Sequence, residues 1–336
     1  MRTASVVILV AVTLGLAAIT SLLFVLIHSA PVFVAPRMVT ISRGESMTSA
    51  ARRLKRSGVI DNSLVFILYA ELTGQATRIK AGDYAFNGGE AMPAVLRHLV
   101  NGDFMTVTIT VPEGMTVHQI GERLQAAGLV CASLFDGGAR DGPLARALGL
   151  GVLGVEGFLF PATYHFSPMT SSNQILAAML ERFYSVLTPQ VEERMYELGI
   201  NDRQLVTMAS IIEKEARVAG ERPMIASVFY NRLALGMPLQ SDPTAQYNYA
   251  GEFKPAAAAI HAASAFNTYT IPNLPPGPIG SPGLDSIRAA LYPAHTTYLY
   301  FVARRDGTHI FSRSLREHEQ AIEQVKQGTQ NRRLGG

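Results

Sequence analysis

The chain has 336 residues, of which 16% are charged and 48% hydrophobic, with a formal net charge of +3. That balance supplies a sizeable core, excludes a largely disordered chain, and carries too little charge to imply a nucleic-acid partner. A single cysteine, Cys131, excludes an intramolecular disulfide and any zinc site built on cysteines.

Ser5 to Ile27 runs twenty-three residues without a charge. As a helix rising ~1.5 Å per residue it reaches roughly 35 Å, enough to cross a hydrocarbon core of about 30 Å. The rival reading is a cleavable signal peptide, whose apolar core spans only ~7–15 residues ahead of a small-residue cleavage site. The best candidate site, His28-Ser29-Ala30 before Pro31, is poor. The expectation is therefore a retained anchor at 5–27, a cytoplasmic head at 1–4 and a linker at 28–36. Arg2, Arg37 and Arg43 give only a weak charge bias for orientation. A four-residue head is easily left inside, which places the large remainder outside the cytoplasm. The cluster Arg52, Arg53, Lys55 and Arg56 could meet anionic lipid or wall polymer; its plainer reading is a solvated helix face.

An offset of seventy residues aligns the chain faintly with itself: VTISRG (39–44) falls on ITVPEG (109–114), Arg53-Leu54 on Arg123-Leu124, Gly58 on Gly128. Each copy predicts a strand, a Gly turn, a helix closed by Gly and a second helix. The first continues through a strand at Lys80–Phe86 into a helix from Met92 to Val100. Such strand–helix–helix–strand units resemble LysM modules, which bind N-acetylglucosamine polymers; the plainer alternative is a spacer arm. The second copy runs to about Gly142. Gly149 to Gly154 fits the dinucleotide-binding glycine spacing but lacks a strand before it and a helix after it, so it is expected to be a loop.

Glu156 through Tyr164 predicts a strand and turn, followed by helices from Ser172 to Tyr184, from Pro189 to Leu198 and from about Asp202 to Ala219. Residues 265–283 hold too many prolines for a helix or central strand and form an ordered loop or cleft wall. Two short strands, 298–303 and 308–312, flank an Asp306-Gly307 turn. The tail from about Gln327 is expected to fray.

On the helix from Asp202, the positions Leu205, Met208, Ala209, Ile212, Ala216 and Ala219 define a buried stripe. Glu215 stands at the edge of that stripe, and a carboxyl group against apolar neighbours keeps its proton and can serve as a general acid. Glu213 is turned further away and reads as a surface partner or a support behind the site. Downstream, Asn231, Arg232, Gln240, Ser241, Asp242, Thr244 and Tyr247 crowd hydrogen-bonding groups into a short span, the mark of a polyhydroxylated-substrate cleft; Asn231, Gln240, Asp242, Thr244, Tyr247, Asn267, Thr268 and Tyr269 are its candidate lining, and each alone could equally fix a loop. Glu156 is a further candidate for that cleft. There is no HExxH, no G-x-S-x-G elbow and no P-loop. His261, His295, His309 and His318 do not fall at metal-ligand spacings and read as structural.

The blocks EGFLFPATY (156–164), ASIIEKEA (209–216), ERPMIASVFYNRL (221–233), LQSDPTAQY (239–247), FNTYTIPNLPPGPI (266–279) and YLYFVARRDGTHIFS (298–312) resemble the endolytic murein transglycosylases, the MltG or YceG-like family. The likeness covers nearly the whole chain. It implies an α+β fold with an N-terminal transmembrane helix, a LysM-like subdomain at 37–104, a catalytic domain at 105–329 and a flexible tail at 330–336. It implies that the second glutamate of the E-K-E block, Glu215, is catalytic. The implied reaction is non-hydrolytic cleavage of the β-1,4 bond between N-acetylmuramic acid and N-acetylglucosamine inside peptidoglycan glycan strands, leaving 1,6-anhydro ends and needing no metal or other cofactor. Peptidoglycan synthases are the implied partners. A hydrolytic muramidase and a non-catalytic wall-binding scaffold remain the alternatives.

Overall fold

The computed structural model describes residues 2–150, 154–248 and 259–334. The fold is mixed α+β and divides into two compact units: residues 1–107 with 167–169, and residues 108–166 with 170–336.

The first unit opens with α1 (Arg2–His28), the one helix among the described residues that is long and apolar enough to cross a membrane. It covers the whole expected span. β1 (Arg37–Ile41), α2 (Met47–Arg56), α3 (Ser63–Leu72), β2 (Gly82–Phe86) and α4 (Met92–Asn101) follow, in the order the sequence pattern predicts. β1 and β2 pair antiparallel, with Val39 opposite Tyr84. Local chemistry fixes the helix ends: the Ser46 hydroxyl accepts from the Ser49 N–H, and the Asn62 side chain from those of Leu64 and Val65. The alternating inward residues Val39, Ile41, Tyr84 and Phe86 meet Leu54, Phe66 and Leu96 in one apolar core.

The second copy of the repeat begins with β3 (Val107–Thr110) and continues through α5 (Val117–Ala126), α6 (Ala132–Asp141) and a short α7 (Pro143–Ala147). Thr116 and Gln119 form a reciprocal capping box at the start of α5. The strand that pairs with β3 is β4 (Thr163–Phe166), beyond the expected end of this copy. Thr110 and Thr163 hydroxyls meet across the pair at 2.9 Å. The strand expected at the GFLF segment is absent. Residues 154–157 make turns in which Gly157 takes φ +81°, a backbone position that a strand cannot accommodate, and the extended stretch starts only at Thr163. Of the Gly149–Gly154 run, residues 151–153 lie outside the described residues.

α8 (Ser172–Tyr184) and α9 (Pro189–Leu198) match their expected bounds. α10 (Asp202–Glu215) stops four residues short of Ala219, and α11 (Arg222–Ala234) restarts the helix in a new direction. Pro223 in the first turn of α11 keeps the two from merging into one helix, inside which its ring would strike the carbonyl of Ala219. The apolar pattern of α10 is also broader than a stripe. All eight residues from Leu205 to Ile212 are buried, while Ala216 caps the helix and Ala219 is exposed. α12 (Asp242–Gln246), α13 (Leu284–Leu291), the antiparallel pair β5 (Tyr300–Ala303) and β6 (His309–Ser312), and α14 (Leu315–Leu334) complete the chain. α10 is packed by α11, α12 and α13, and α14 packs on β5 and β6. The proline-rich stretch contains neither helix nor strand from Thr268 to Gly283, as expected. α14 runs through Leu334.

A Cβ on Gly157 would stand 2.3 Å from Pro278 Cβ and 2.9 Å from Val206 Cγ1. Gly157→Ala therefore combines backbone strain with overpacking against α10 and should cost on the order of 2–3 kcal/mol. A urea melt of the full chain in detergent micelles reads this as a lowered midpoint; an unchanged midpoint would mean that the turn is not constrained as described.

Candidate active site

From Leu205 to Ile212 α10 is buried all round, so its charges appear only at its ends: Asp202 and Arg203 in the first turn, and Glu213, Lys214 and Glu215 in the last. Their surroundings divide their roles. Glu213 forms an ion pair with Arg222 at 3.1 Å and accepts the Gly283 N–H at 3.0 Å, with its side chain only 8% exposed. Arg222 in turn donates to the Ser286 hydroxyl at 2.9 Å. Glu213 thus ties α10 to α11 and to the start of α13. Of the two readings the sequence leaves open for Glu213, its burial excludes the surface one and fits a support behind the site.

Glu215 accepts a hydrogen bond from the Ser241 hydroxyl at 2.6 Å on Oε1. Burial pushes its carboxyl up to about 7; the Ser241 hydrogen bond and the Arg217 charge act against this rise, and the negative charge of Asp242 adds to it. The C-terminal end of α10, with its unpaired carbonyls, is also an unfavourable place for an anion. With Oε1 engaged by Ser241, Oε2 is left to carry a proton. A carboxyl group in this state near neutral pH can both donate and take back a proton.

Glu215 lines a cleft of about 510 Å³. One wall is polar: Arg232, Gln240, Asp242 and Tyr269. The other comes from β5, β6 and α14 through Tyr300, Phe301, His309 and His318. The Tyr269 hydroxyl donates to Asp242 Oδ1 at 2.5 Å, and burial followed by that bond pushes the Tyr269 phenol far above its ordinary value. Arg232 lies over the Tyr300 ring at 5.0 Å, and His318 stacks on the same ring at 5.2 Å. His309 Nδ1 meets Glu221 Oε2 at 2.7 Å, which fixes the ring orientation. Among the described residues no three His, Cys, Asp or Glu side chains are grouped closely enough to hold a metal ion.

A family model described as the YceG-like family matches residues 39–324. The chain belongs to that family. A relative from Bacillus subtilis (strain 168), named endolytic murein transglycosylase, is 36% identical over 304 residues, 85% of this chain and 83% of the relative. A protein of the same name from Streptococcus pneumoniae D39 is 28% identical over 318 residues, which span 84% of this chain but 57% of that longer protein. The crystal structure of a YceG-like protein from Listeria monocytogenes superposes with a TM-score of 0.59 at 31% identity, covering 86% of this chain and 99% of the other.

Within this YceG-like chain, three of the eight residues expected to line the cleft beside Glu215 do so: Gln240, Asp242 and Tyr269. The other five lie behind it. The Asn231 amide donates to the carbonyls of Thr296 and Tyr298, both at 2.9 Å. The Asn267 amide donates to Ile260 and Ala262. Thr244 and Thr268 share a 2.6 Å hydroxyl contact, and Thr268 Oγ1 accepts the Ser241 N–H at 3.0 Å. Tyr247 is buried and donates to Glu156 at 3.2 Å. Gln240, at φ +52°, accepts from Arg232 at 3.1 Å and donates its N–H to the Thr268 carbonyl.

Ser241 and Arg232, part of the crowded hydrogen-bonding span read from the sequence but not singled out as ligands, both belong to the site. Tyr300 lines the cleft as well, and its place in an apolar strand segment gives no sequence signal of it. His309 and His318 also stand in the cleft wall.

Glu156 does not line the Glu215 cleft. It sits in a separate small pocket with Val117, Arg140, Tyr247 and Phe266. Its carboxylate accepts the Val117 N–H, at the N-terminus of α5, at 3.1 Å. Burial still dominates and pushes this carboxyl up to about 7. The folded chain therefore holds a proton here that the unfolded chain has lost between about pH 4.5 and 7. Stability falls as pH rises through that window, by at most about 3 kcal/mol from this group, and levels off above it. Urea midpoints measured against pH should show a shallower decline for Glu156→Gln than for the native chain; equal slopes would refute a buried, proton-holding Glu156.

Proposed function

We propose that the chain is an endolytic murein transglycosylase, a lyase that cuts the β-1,4 bond between N-acetylmuramic acid and N-acetylglucosamine within peptidoglycan strands. The observation that carries this reading is Glu215: a carboxyl raised to about 7, held by Ser241, on the wall of an open polar cleft. The family membership and the names of its relatives agree with it.

Glu215 protonates the glycosidic oxygen, the C1–O bond breaks, and the N-acetylglucosamine hydroxyl leaves. The C6 hydroxyl of the same muramic acid then attacks C1, and its proton passes to the Glu215 carboxylate. The product is a 1,6-anhydro end, no water is consumed, and the acid is restored. One carboxyl suffices because the nucleophile comes from the substrate. Gln240, Asp242 and Tyr269 hold sugar hydroxyls, and Arg232 with Tyr300 forms a planar face against a sugar ring. The first unit, two strands enclosing two helices, serves as a LysM-like arm that grips N-acetylglucosamine along the strand. With α1 in the inner membrane and both units on its outer side, the enzyme meets strands as synthases extrude them and ends their elongation.

Asp242 favours a second reading. It is another carboxylate in the same cleft, and a hydrolytic muramidase needs two. Its short bond from Tyr269 and its charge beside Glu215 instead suit a role in raising the pKa of the acid.

Mass spectrometry of digested uncrosslinked strands separates the readings, since anhydro ends support transglycosylation and reducing ends support hydrolysis. Glu215→Gln should lower cleavage by at least about 10²–10⁴-fold while the urea midpoint holds. Glu213→Gln should do the reverse, losing about 1–3 kcal/mol of stability by weakening the Arg222 pair while the folded enzyme still cleaves. An inactive but stable Glu213→Gln alongside an active Glu215→Gln would overturn the assignment.

The pH profile gives a test with a sign. The proton donor is lost as pH passes its pKa, so kcat/KM falls on the alkaline side. Asp242→Asn removes a charge that raises Glu215 and should move that limb to lower pH. Ser241→Ala removes a bond that lowers it and should move the limb higher. Shifts in the same direction would contradict the described environment.

A further inference from the structure

α3 is apolar on both sides. Phe66 and Ala70 are fully buried in the core of the first unit, yet Leu64, Leu68 and Leu72 are 75%, 43% and 78% exposed. Four-residue spacing puts these three leucines within an arc of about 80° on the outer face. Glu71, the only charge in the helix, stands at the edge of that arc. A helix that is hydrophobic all round belongs in a protein core or against lipid, and the core covers only one side of this one.

The position of α3 says what covers the other. α1 ends at His28, and the Ser29 hydroxyl bonds the Asp61 carboxylate, two residues before α3 begins. α1 itself touches α3 and α4. The next residues are fastened to the same unit: the Pro31 carbonyl accepts the Gly89 N–H at 2.8 Å, and Phe33 packs on the core. Val32 and Val34, flanking Phe33, are instead 88% and 105% exposed. An apolar helix face and two exposed valines are thus held where the chain leaves the membrane-spanning helix. At ~1.5 Å per residue, all of α3 lies within about 15 Å of its own start beside that exit.

We propose that the outer face of α3, with Val32 and Val34, is a second membrane contact that beds the first unit into the headgroup and upper acyl region of the bilayer. Its occupant is a lipid surface. Recognition is by apolar insertion, so uncharged phosphatidylcholine suffices. The contact adds a second mount beside the α1 anchor and fixes the height of the unit above the membrane. It is independent of the catalytic reading and rests only on α1 crossing the bilayer.

The chain contains no tryptophan, so Leu64→Trp, Leu68→Trp and Leu72→Trp each introduce a single reporter at an already exposed position. Tyr196→Trp, at a site 88% exposed in the second unit, provides a solvent reference. The full-length variants are placed, one chain per disc, in phosphatidylcholine nanodiscs whose acyl chains are brominated near the carbonyl or left plain. The expected result is about twofold or greater quenching by bromine at the three α3 positions, and acrylamide quenching about threefold weaker than at the reference. Indoles open to acrylamide and indifferent to bromine would overturn the proposal. So would protection that appears only with two chains per disc and without bromine quenching, which would assign the face to a second copy. Alkaline carbonate extraction of the same variants tests the anchor separately. Release of the chain removes the premise and the proposal together, whereas a retained chain with unquenched indoles defeats the α3 contact alone.

Discussion

The second unit is organised by the burial of α10 on every side. Eight consecutive residues, Leu205 to Ile212, are enclosed by α11, α12, α13 and the surrounding loops. A helix packed this way cannot display charge along its middle, so its charged residues lie at its two ends, Asp202 and Arg203 at one and Glu213, Lys214 and Glu215 at the other. The helix stops at Glu215, and that end is a fixed point in the fold. Two carboxylates two residues apart then point about 160° apart around the axis. One turns toward Arg222 and the start of α13; the other turns toward Ser241 and the open cleft. The division of labour between Glu213 and Glu215 follows from helical geometry before any chemistry is considered.

Holding that end in place takes a second layer of polar groups. Ser241 presents its hydroxyl to Glu215 because its own N–H is caught by Thr268, while Thr268 is paired with Thr244 and Asn267 secures the adjoining loop through backbone carbonyls. Arg232 performs a similar task from α11, donating to the carbonyls of Leu299 and Leu239 and so joining β5 to the segment that carries Gln240. Such buried groups are costly when unpaired, so the network keeps the loop in a single arrangement. Removing one member leaves its partners unsatisfied and loosens the hydroxyl that steadies the acid.

Much of this was legible in the sequence. The apolar N-terminal run, the strand–helix–helix–strand order of the first unit, the bounds of α8 and α9 and the Asp306-Gly307 hairpin all depend on local patterns, and local patterns survive folding. The dense hydrogen-bonding residues between Asn231 and Tyr269 fall on the cleft beside Glu215 and on the loops behind it. Their density could not separate residues that face the cleft from residues that build its back wall, because Asn267 and Tyr269 differ only in which way two neighbouring turns direct them. The GFLF segment misled for a different reason: its apolar run is buried as turns packed around a left-handed glycine, and burial alone does not distinguish a turn from a strand. Glu213 stayed open between surface and support because rotation away from one apolar face can bring a side chain to solvent or, as here, against another face.

Glu156 and Glu215 show why electrostatics by itself does not identify an active carboxyl. Both are lifted to about 7, both chiefly by burial, and both accept a hydrogen bond that opposes the rise. Their difference is access. Glu156 is closed in by Val117, Tyr247 and Phe266, in a pocket of about 20 Å³ that leaves room for little more than a water molecule. Glu215 borders a space about twenty-five times larger, bounded by groups that can bind hydroxyls and stack on rings. A raised pKa keeps a proton on each carboxyl, but the proton of Glu215 borders an open polar cleft while that of Glu156 is enclosed. The same physical term thus stores pH-dependent stability at one position and, under the proposed function, supplies a reachable acid at the other, and the shape of the surrounding loops decides which.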